Sequence, residues 1–251
     1  MPNIYFNKIG TGKPVVFLHG FLESSTMWDY LDFSSTSIAA IYVDIPGHGK
    51  SEVLSNTDIS IKAIASSIIR ALAKKDIHTF DIVGHSMGGY IALEIARQVT
   101  HQPKVILLNS NFWEDTAEKK NNRNRVIDII EKNKELFIQE AVPGLFVRPI
   151  ENQLAIQSLI SEAKNISNEG IIYASIAMRD RPDLTDFAIS IANQLVCIQG
   201  EKDAIVPLAE MEKRSAKIIP YITLPNTGHM SHIEVSKVVE NALTELLLDR
   251  L

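Results

Sequence analysis

A serine flanked by glycines is the residue of this sequence best suited to act as a nucleophile. Ser86 stands in the run Gly-His-Ser-Met-Gly-Gly at 84–89, after an apolar stretch and before a helical pattern. Strand and helix pass close together at such a turn, so its flanking residues must be small, and Gly84 and Gly88 meet that need. The helix start presents free N–H groups to an oxyanion, and the Met87 N–H is one expected donor. The pattern predicts acyl transfer through Ser86.

A serine hydroxyl needs a histidine base at neutral pH, and that base needs a carboxylate to fix its tautomer. Asp203 follows the apolar run 195–199 and a polar turn, and His229 lies in a loop after a short β-like run. Both side chains are therefore expected beyond the carboxyl ends of strands, as Ser86 is. The chain order Ser86, Asp203, His229 predicts a Ser-His-Asp triad.

Two further motifs follow predicted strands nearer the start of the chain. The apolar run 15–19 leads into His-Gly-Phe, which ends at Phe21, and Asp44 precedes a Pro-Gly-His-Gly turn at 46–49. Together with the serine turn and the two downstream loops, these blocks resemble the α/β-hydrolase superfamily. They are most similar to its compact group of esterase-like, haloperoxidase-like and C–C-bond hydrolases. The resemblance runs from about Val15 to the last helix and is interrupted by a divergent middle segment.

The resemblance implies an α/β-hydrolase fold, a mostly parallel central sheet flanked by helices with an inserted helical cap. It also implies a carboxylesterase-like serine hydrolase that needs no cofactor. Ser86 would be the nucleophile, and the N–H groups of Phe21 and Met87 would form the oxyanion hole. Members of the superfamily with an aspartate nucleophile are set aside because this position is a serine.

Other residues compete for the roles of base and acid. His232 is a rival base, but His229 is preferred because it follows a glycine, as in the family, whereas His232 falls at the entry to the last helix. Asp203 is preferred as the acid because its block, Gly-Glu-Lys-Asp-x-x-Val-Pro, resembles the family's acid loop; the rivals are Asp44, Asp81 and Asp115. Among the other histidines, His85 is expected to pack or hydrogen-bond locally below the nucleophile.

Predicted strands alternate with helical patterns, which implies a parallel sheet with ligands bound beyond its carboxyl ends. The clearest helix is 58–75, with Thr57 or Asp58 as its cap. Residues 111–190 break the alternation and are predicted to form a helical cap, inserted in a core of 1–110 and 191–251. The strand-like runs are 3–7, 15–19, 38–43, 79–83, 104–108, 195–199 and 221–224.

Substrate contacts are expected from Phe21 and Met87, and from Arg148 and Arg179, either of which could clamp a carboxylate from the cap. The charge-rich run 118–125 is instead expected to be a solvated helix face. Large apolar side chains favour a moderately apolar acyl group, and each of them could equally belong to the core: Trp28, Phe112, Trp113, Phe137, Leu145, Phe146 and Met178.

Composition excludes several classes of protein. With 251 residues, 45% hydrophobic residues and a formal charge of -5, the chain is neither disordered nor typical of a nucleic-acid-binding protein. The single Cys197 is expected to be a core residue in a reducing compartment. No signal-peptide pattern is found, and no run reaches the roughly 18 apolar residues of a membrane span. The expectation is a cytoplasmic protein with a small-molecule substrate and no metal site, nucleic-acid partner or membrane partner; the sequence does not indicate its oligomeric state.

The predicted activity is hydrolysis of a small carboxylic ester, or a related acyl substrate, through an acyl-enzyme. Two alternatives remain on the same triad, namely C–C bond hydrolysis and a cofactor-free haloperoxidase or perhydrolase reaction. A third belongs to a different class, a small-molecule receptor or signalling protein that retains the triad.

Overall fold

A computed structural model describes residues 3–55, 58–215 and 218–248, and in this part of the chain seven strands form one sheet. The strand order is β1-β3-β2-β4-β5-β6-β7; β1 pairs antiparallel with β3, and all other neighbours are parallel. The predicted α/β-hydrolase fold is confirmed. The strands are β1 Phe6–Ile9, β2 Lys13–Leu18, β3 Ile38–Val43, β4 Asp81–His85, β5 Val105–Leu108, β6 Leu195–Gly200 and β7 Tyr221–Leu224.

Helices cover both faces of the sheet, which explains why its central strands are apolar without alternation. In β2, Val16 and Leu18 face the cluster that contains α1 (Ile61–Ala73) and α2 (Met87–Gln98). Val15 and Phe17 face the opposite cluster, which contains Trp28 and α9 (Ser236–Leu247). Because neighbouring parallel strands end at one edge, the loops after β2, β4, β5, β6 and β7 meet there.

Helix α1 begins later than the sequence predicts. Its cap is Ser60, whose hydroxyl accepts a hydrogen bond from the Ala63 N–H. That bond satisfies a backbone donor of the first turn, which accounts for the start at residue 61. The expectation that Asp58 caps the helix was therefore wrong, and Thr57 lies outside the described residues.

The segment between β5 and β6 is helical. Helix α3 is kinked at Asn133, which has non-helical backbone angles (φ -156°, ψ 75°). A 3-10 turn follows at Pro143–Leu145. The helices of this segment are α3 Ala117–Ala141, α4 Gln153–Asn165, α5 Asn168–Arg179 and α6 Thr185–Ser190.

Helices α3, α4 and α5 enclose a third apolar cluster, which includes Ile130, Ile138 and Leu159. Leu22 and Met230, from the loop after β2 and the loop after β7, belong to the same cluster. The inserted helices thus pack directly on two loops that follow strands of the sheet. The remaining helices of the described residues are α7 Leu208–Arg214, the single turn α8 Ser231–Glu234 and a 3-10 helix at Ser25–Tyr30. Within the described ranges, no helix combines the length and apolarity that crossing a membrane requires.

Candidate active site

Ser86 lies in a tight turn between β4 and α2. Its backbone is strained, with φ 51° and ψ -116°, a conformation that side-chain-bearing residues seldom adopt. A Cβ on Gly84 would lie 2.4 Å from the carbonyl oxygen of Gly88, and one on Gly88 would lie 2.2 Å from the carbonyl oxygen of Leu18. Both glycines are therefore required by the close passage of strand, helix and neighbouring loop.

The structure brings Ser86, His229 and Asp203 together from three separate loops. His229 Nε2 lies 2.9 Å from Ser86 Oγ, and His229 Nδ1 lies 2.9 Å from Asp203 Oδ2. The carboxylate only accepts, so Nδ1 carries the proton and donates it, which leaves Nε2 free to accept the serine proton. The arrangement can therefore deprotonate the serine hydroxyl.

Asp203 is held by donors on both of its oxygens. Besides the imidazole, Oδ2 accepts from Asn109 Nδ2 at 2.9 Å and Gln199 Nε2 at 3.0 Å. Oδ1 accepts from the N–H groups of Ile205 at 2.8 Å and Val206 at 3.0 Å. Burial by itself would raise the pKa of Asp203, but the adjacent histidine and these donors outweigh it and lower the pKa to about 2. Asp203 is thus an anion at neutral pH.

Asn109 is a residue of this site that the sequence analysis missed. Its Nδ2 also donates to the carbonyl oxygen of Gly228 at 2.9 Å, and its Oδ1 accepts from the Ser231 hydroxyl. Asn109 therefore connects the loop of Asp203 with the loop that carries the histidine. The polar run 109–111, directly after the buried strand β5, was the available signal, because side chains at that edge of the sheet face the site.

The expected oxyanion donors, the N–H groups of Phe21 and Met87, have no hydrogen-bond acceptor among the parts of the chain described above. The loop before Phe21 is ordered by His19, whose Nδ1 donates to the carbonyl oxygen of Gly20 at 2.8 Å. His19 Nε2 accepts from the N–H of Ile45 at 2.9 Å, so this ring is neutral. Its burial lowers the pKa and favours the same state.

A buried ion pair lies beside Ser86. His85 Nδ1 is 3.0 Å from Glu23 Oε2, and His85 Nε2 is 2.9 Å from the carbonyl oxygen of His229. Both partners are acceptors, so both ring nitrogens must donate and His85 is an imidazolium. Glu23 Oε2 also accepts the Gly20 N–H, which ties the pair to the loop after β2.

The pKa shifts of the two partners agree with this ion pair. Burial would raise the pKa of Glu23, but His85 outweighs it and lowers the pKa to about 2. Burial would lower the pKa of His85, but the carboxylate of Glu23 outweighs it and raises the pKa. Local hydrogen bonding by His85 is the role that the sequence predicts, whereas Glu23 was missed. A carboxylate two residues after Phe21, in the loop expected to supply an oxyanion donor, was the available signal.

A cavity of about 360 Å³ opens onto Ser86 and His229, and its wall is mostly apolar. Four of the side chains considered from sequence line it: Phe21, Phe137, Leu145 and Met178. The other five are buried elsewhere: Trp28, Met87, Phe112, Trp113 and Phe146. The Met87 side chain belongs to the core, and the substrate contact expected from Met87 stays a prediction for its backbone N–H.

The two arginines expected to bind substrate do not line this cavity. Arg148 pairs with Glu151, with 3.3 Å between Nε and Oε2. Arg179 donates to Asp180 at 2.7 Å and to Asn124 at 2.8 Å. Arg148 lies in the loop before α4 and Arg179 ends α5, and both turn to neighbouring surface residues, a direction that the local sequence does not specify. The arginine that lines the cavity is Arg123, from the run expected to be a solvated face.

Within the described residues, none of the rival residues hydrogen-bonds to Ser86 Oγ or to the ring of His229. His232 is buried against the rings of Trp28 and His85, and burial lowers its pKa to about 3. Asp44 accepts from the N–H groups of Ser25 and Lys50 and so organises loops. Within residues 3–55, 58–215 and 218–248, no group of three or more His, Cys, Asp or Glu side chains could hold a metal ion.

Known proteins resemble this chain along almost its whole length. The AB hydrolase superfamily protein YisY of Bacillus subtilis is 23% identical, over 96% of this chain and 94% of its own. A putative 2-succinyl-6-hydroxy-2,4-cyclohexadiene-1-carboxylate synthase of Haemophilus influenzae is 25% identical, over 93% and 98% respectively. Among solved structures, a thermophilic esterase from Thermogutta terrifontis superposes with a TM-score of 0.90 at 27% identity, covering 99% of this chain and 94% of the esterase.

The family assignment rests on a match that covers most of the chain, and not on a single motif. Residues 15–242 match the model of the alpha/beta hydrolase family, from β2 into the last helix. That range includes the serine turn, both downstream loops and the inserted helices. The chain belongs to the alpha/beta hydrolase family.

Proposed function

We propose that this protein is a serine hydrolase that cleaves small carboxylic esters, or related acyl substrates, through an acyl-enzyme. The observation that carries the proposal is the pair of 2.9 Å contacts of His229, one to Ser86 Oγ and one to Asp203 Oδ2, at the floor of a largely apolar cavity. A nucleophile, its base and the group that orients the base are thereby within hydrogen-bond reach.

In the first step, His229 Nε2 takes the hydroxyl proton while Ser86 Oγ attacks the substrate carbonyl. The negative charge that develops on the carbonyl oxygen is stabilised by the N–H groups of Phe21 and Met87. Asp203 stabilises the imidazolium that forms. The imidazolium then protonates the leaving alcohol, and the acyl group stays on the serine.

In the second step, water takes the place of the alcohol. His229 removes a proton from the water as it attacks the acyl carbon, and the same two N–H groups hold the second oxyanion. Collapse of that intermediate returns the proton to Ser86 and releases the carboxylic acid. The reaction closes with no cofactor consumed.

The inserted segment, residues 111–190, is proposed to be the cap that shapes the substrate pocket above a core of 1–110 and 191–251. This assignment is supported by Phe137, Leu145 and Met178, which come from the inserted segment and line the cavity. A volume of about 360 Å³ is at the small end of ligand pockets, so the preferred acyl group should be short.

The test is steady-state hydrolysis of p-nitrophenyl esters of increasing acyl chain length. We expect Ser86→Ala to lose nearly all turnover while it keeps its fold, and Ser158→Ala, an exposed serine of α4, to keep the wild-type rate. A Ser86→Ala protein that hydrolyses esters at the wild-type rate would overturn the assignment of the nucleophile.

A second candidate is C–C bond chemistry on the same three side chains. It is favoured by the H. influenzae relative, which is named as a synthase rather than a hydrolase and matches over 93% of this chain. Negligible ester turnover by a folded wild-type protein would favour this candidate. If small ligands instead raised the melting temperature without being turned over, a receptor role would be the better assignment.

A further inference from the structure

A cationic side chain that the proposed mechanism does not use lines the cavity beside Ser86. Arg123 of α3 donates through Nε to Asp115 Oδ2 at 3.1 Å, and its side chain is 21% exposed. Within the three described ranges, the other two guanidinium nitrogens have no hydrogen-bond partner. One edge of Arg123 is therefore fixed and the other is available to a ligand.

Asp115 does not neutralise the charge of Arg123, because a second arginine pairs with the same carboxylate. Arg181 Nη1 lies 2.8 Å from Asp115 Oδ1, and both side chains are buried. Arg181 is further fixed by the carbonyl oxygen of Trp113, at 3.1 Å from Nε, and by the ring of Tyr90, whose centroid lies 4.0 Å from its guanidinium carbon. Two guanidinium groups on one carboxylate leave a net positive charge, and the one facing the cavity is Arg123.

Lys119, one turn before Arg123 on α3, adds to this charge. Its Nζ donates to the carbonyl oxygen of Ile205, a residue of the cavity wall, at 3.1 Å. Burial lowers the pKa of Lys119, and the guanidinium groups of Arg181 and Arg123 lower it further, against the opposing effect of Asp115. Positive charge is thus concentrated at this wall although the whole chain carries -5.

We propose that Arg123 is the subsite for a carboxylate of the substrate, so that the enzyme acts on esters or lactones that carry a free acid group. Asp115 holds the Nε edge, which leaves the two terminal nitrogens to bind the carboxylate through paired hydrogen bonds. The apolar walls would take the carbon chain between the acid and the scissile carbonyl. This inference rests on the proposed ester hydrolysis and names its substrate class.

The test compares pairs of substrates that differ only in charge, with hydrolysis followed by proton release. One pair is a monomethyl and a dimethyl ester of the same C4 to C6 dicarboxylic acid, which places the carboxylate in the acyl half. The other is an acetylated hydroxy acid and its methyl ester, which places the carboxylate in the alcohol half. The measured quantity is the ratio of kcat/KM for the anionic member to kcat/KM for the neutral member.

We expect the wild type to prefer the anionic member of one pair, and Arg123→Gln to lower that ratio by about tenfold to a hundredfold, the loss of a charge-assisted hydrogen bond. Arg123→Lys, which keeps the charge but not the paired donors, should fall between. Arg125→Gln is the matched control, since Arg125 is exposed on the same helix and bonds only to Asn122 within the described chain. A wild type with no preference, or an unchanged ratio in Arg123→Gln, would overturn the proposal.

A binding measurement separates this inference from the proposed function. In the Ser86→Ala background, calorimetry would compare a monomethyl dicarboxylate with its dimethyl ester, before and after Arg123→Gln. Tighter binding of the anion that depends on Arg123 supports the subsite even if no ester is turned over. Ester turnover without any Arg123-dependent preference, in rate or in binding, would leave the proposed function standing and refute the subsite.

Discussion

Replacing Glu23 with glutamine isolates the charge of the buried pair that it forms with His85. The glutamine oxygen can still accept from the Gly20 N–H and from His85 Nδ1, the two bonds that Glu23 Oε2 accepts. Shape and hydrogen bonding are therefore conserved, and the negative charge is lost. His85 must then remain an unpaired buried cation, or lose a proton and present a lone pair to one of its two acceptors.

The size of the effect follows from the pKa of Glu23. A decrease from the ordinary 4.5 to about 2 corresponds to roughly 3 kcal/mol of preference for the ionised form in the folded protein. Removal of one partner from a buried ion pair costs about 3–5 kcal/mol, which agrees. At pH 7 we expect Glu23→Gln to lower the free energy of unfolding by about 3 kcal/mol, or about 6–12 °C in melting temperature for a chain of this length.

The sign of the pH dependence provides a second test. The contribution of Glu23 is present above its unfolded pKa of 4.5 and is lost as the pH falls toward about 2, so the difference between wild type and variant should shrink over that interval. The pKa of His85 is raised, so its contribution to stability is present below its unfolded pKa of 6.5. That contribution is lost as the pH rises from 6.5 through the folded-state pKa. The pair therefore contributes fully between pH 4.5 and 6.5, and at pH 7 the loss at His85 has only begun.

Urea unfolding of both proteins over this pH range measures the difference, with Glu210→Gln as control. Glu210 pairs with Arg214 on a solvent-facing side of α7, so its loss should change little. Nitrogen NMR of the histidine rings should show both nitrogens of His85 protonated in the wild type at pH 7. A loss below about 1 kcal/mol at pH 7, or a difference that stays constant down to pH 3, would refute the imidazolium assignment.

Two further substitutions test the orientation of the base and the start of α1. Asp203→Asn should lower kcat about 10⁴-fold, because its amide can donate to His229 Nδ1 and favour the tautomer whose Nε2 cannot accept the serine proton; steady-state kinetics within tenfold of wild type would contradict the proposed role. Ser60→Ala should cost about 1 kcal/mol in chemical unfolding, because the Ala63 N–H loses its acceptor, whereas Ser60→Gly should cost only a few tenths. A loss of no more than a few tenths of a kcal/mol in Ser60→Ala would show that the hydroxyl does not cap the helix.

The fold was predictable because its signals are local. Buried parallel strands appear as short apolar runs, so β3 and β7 were located to the residue, and the strand that precedes Ser86 was predicted within two residues. The cap of α1 was misplaced because several polar residues precede the helix, and which of them binds the first turn depends on backbone angles that the sequence does not specify.

The candidate site also has one part that the sequence predicts and one part that it does not. The turn at Ser86 and the loops that carry Asp203 and His229 follow strands of one parallel sheet, and topology alone makes such loops converge. The sequence by itself therefore predicted that these three side chains form one group, and in the structure they lie within hydrogen-bond distance of one another in series.

Only the tertiary structure decided which other side chains surround them. Asn109, Glu23 and Arg123 are ordinary polar residues in the sequence, and their relation to the site arises from contacts between segments far apart in the chain. Arg148 and Arg179 looked equally suited to meet a substrate, yet both turn to surface neighbours. The physical reason is that the local sequence determines an element, whereas the packing of the whole insert on the sheet determines what each of its side chains contacts.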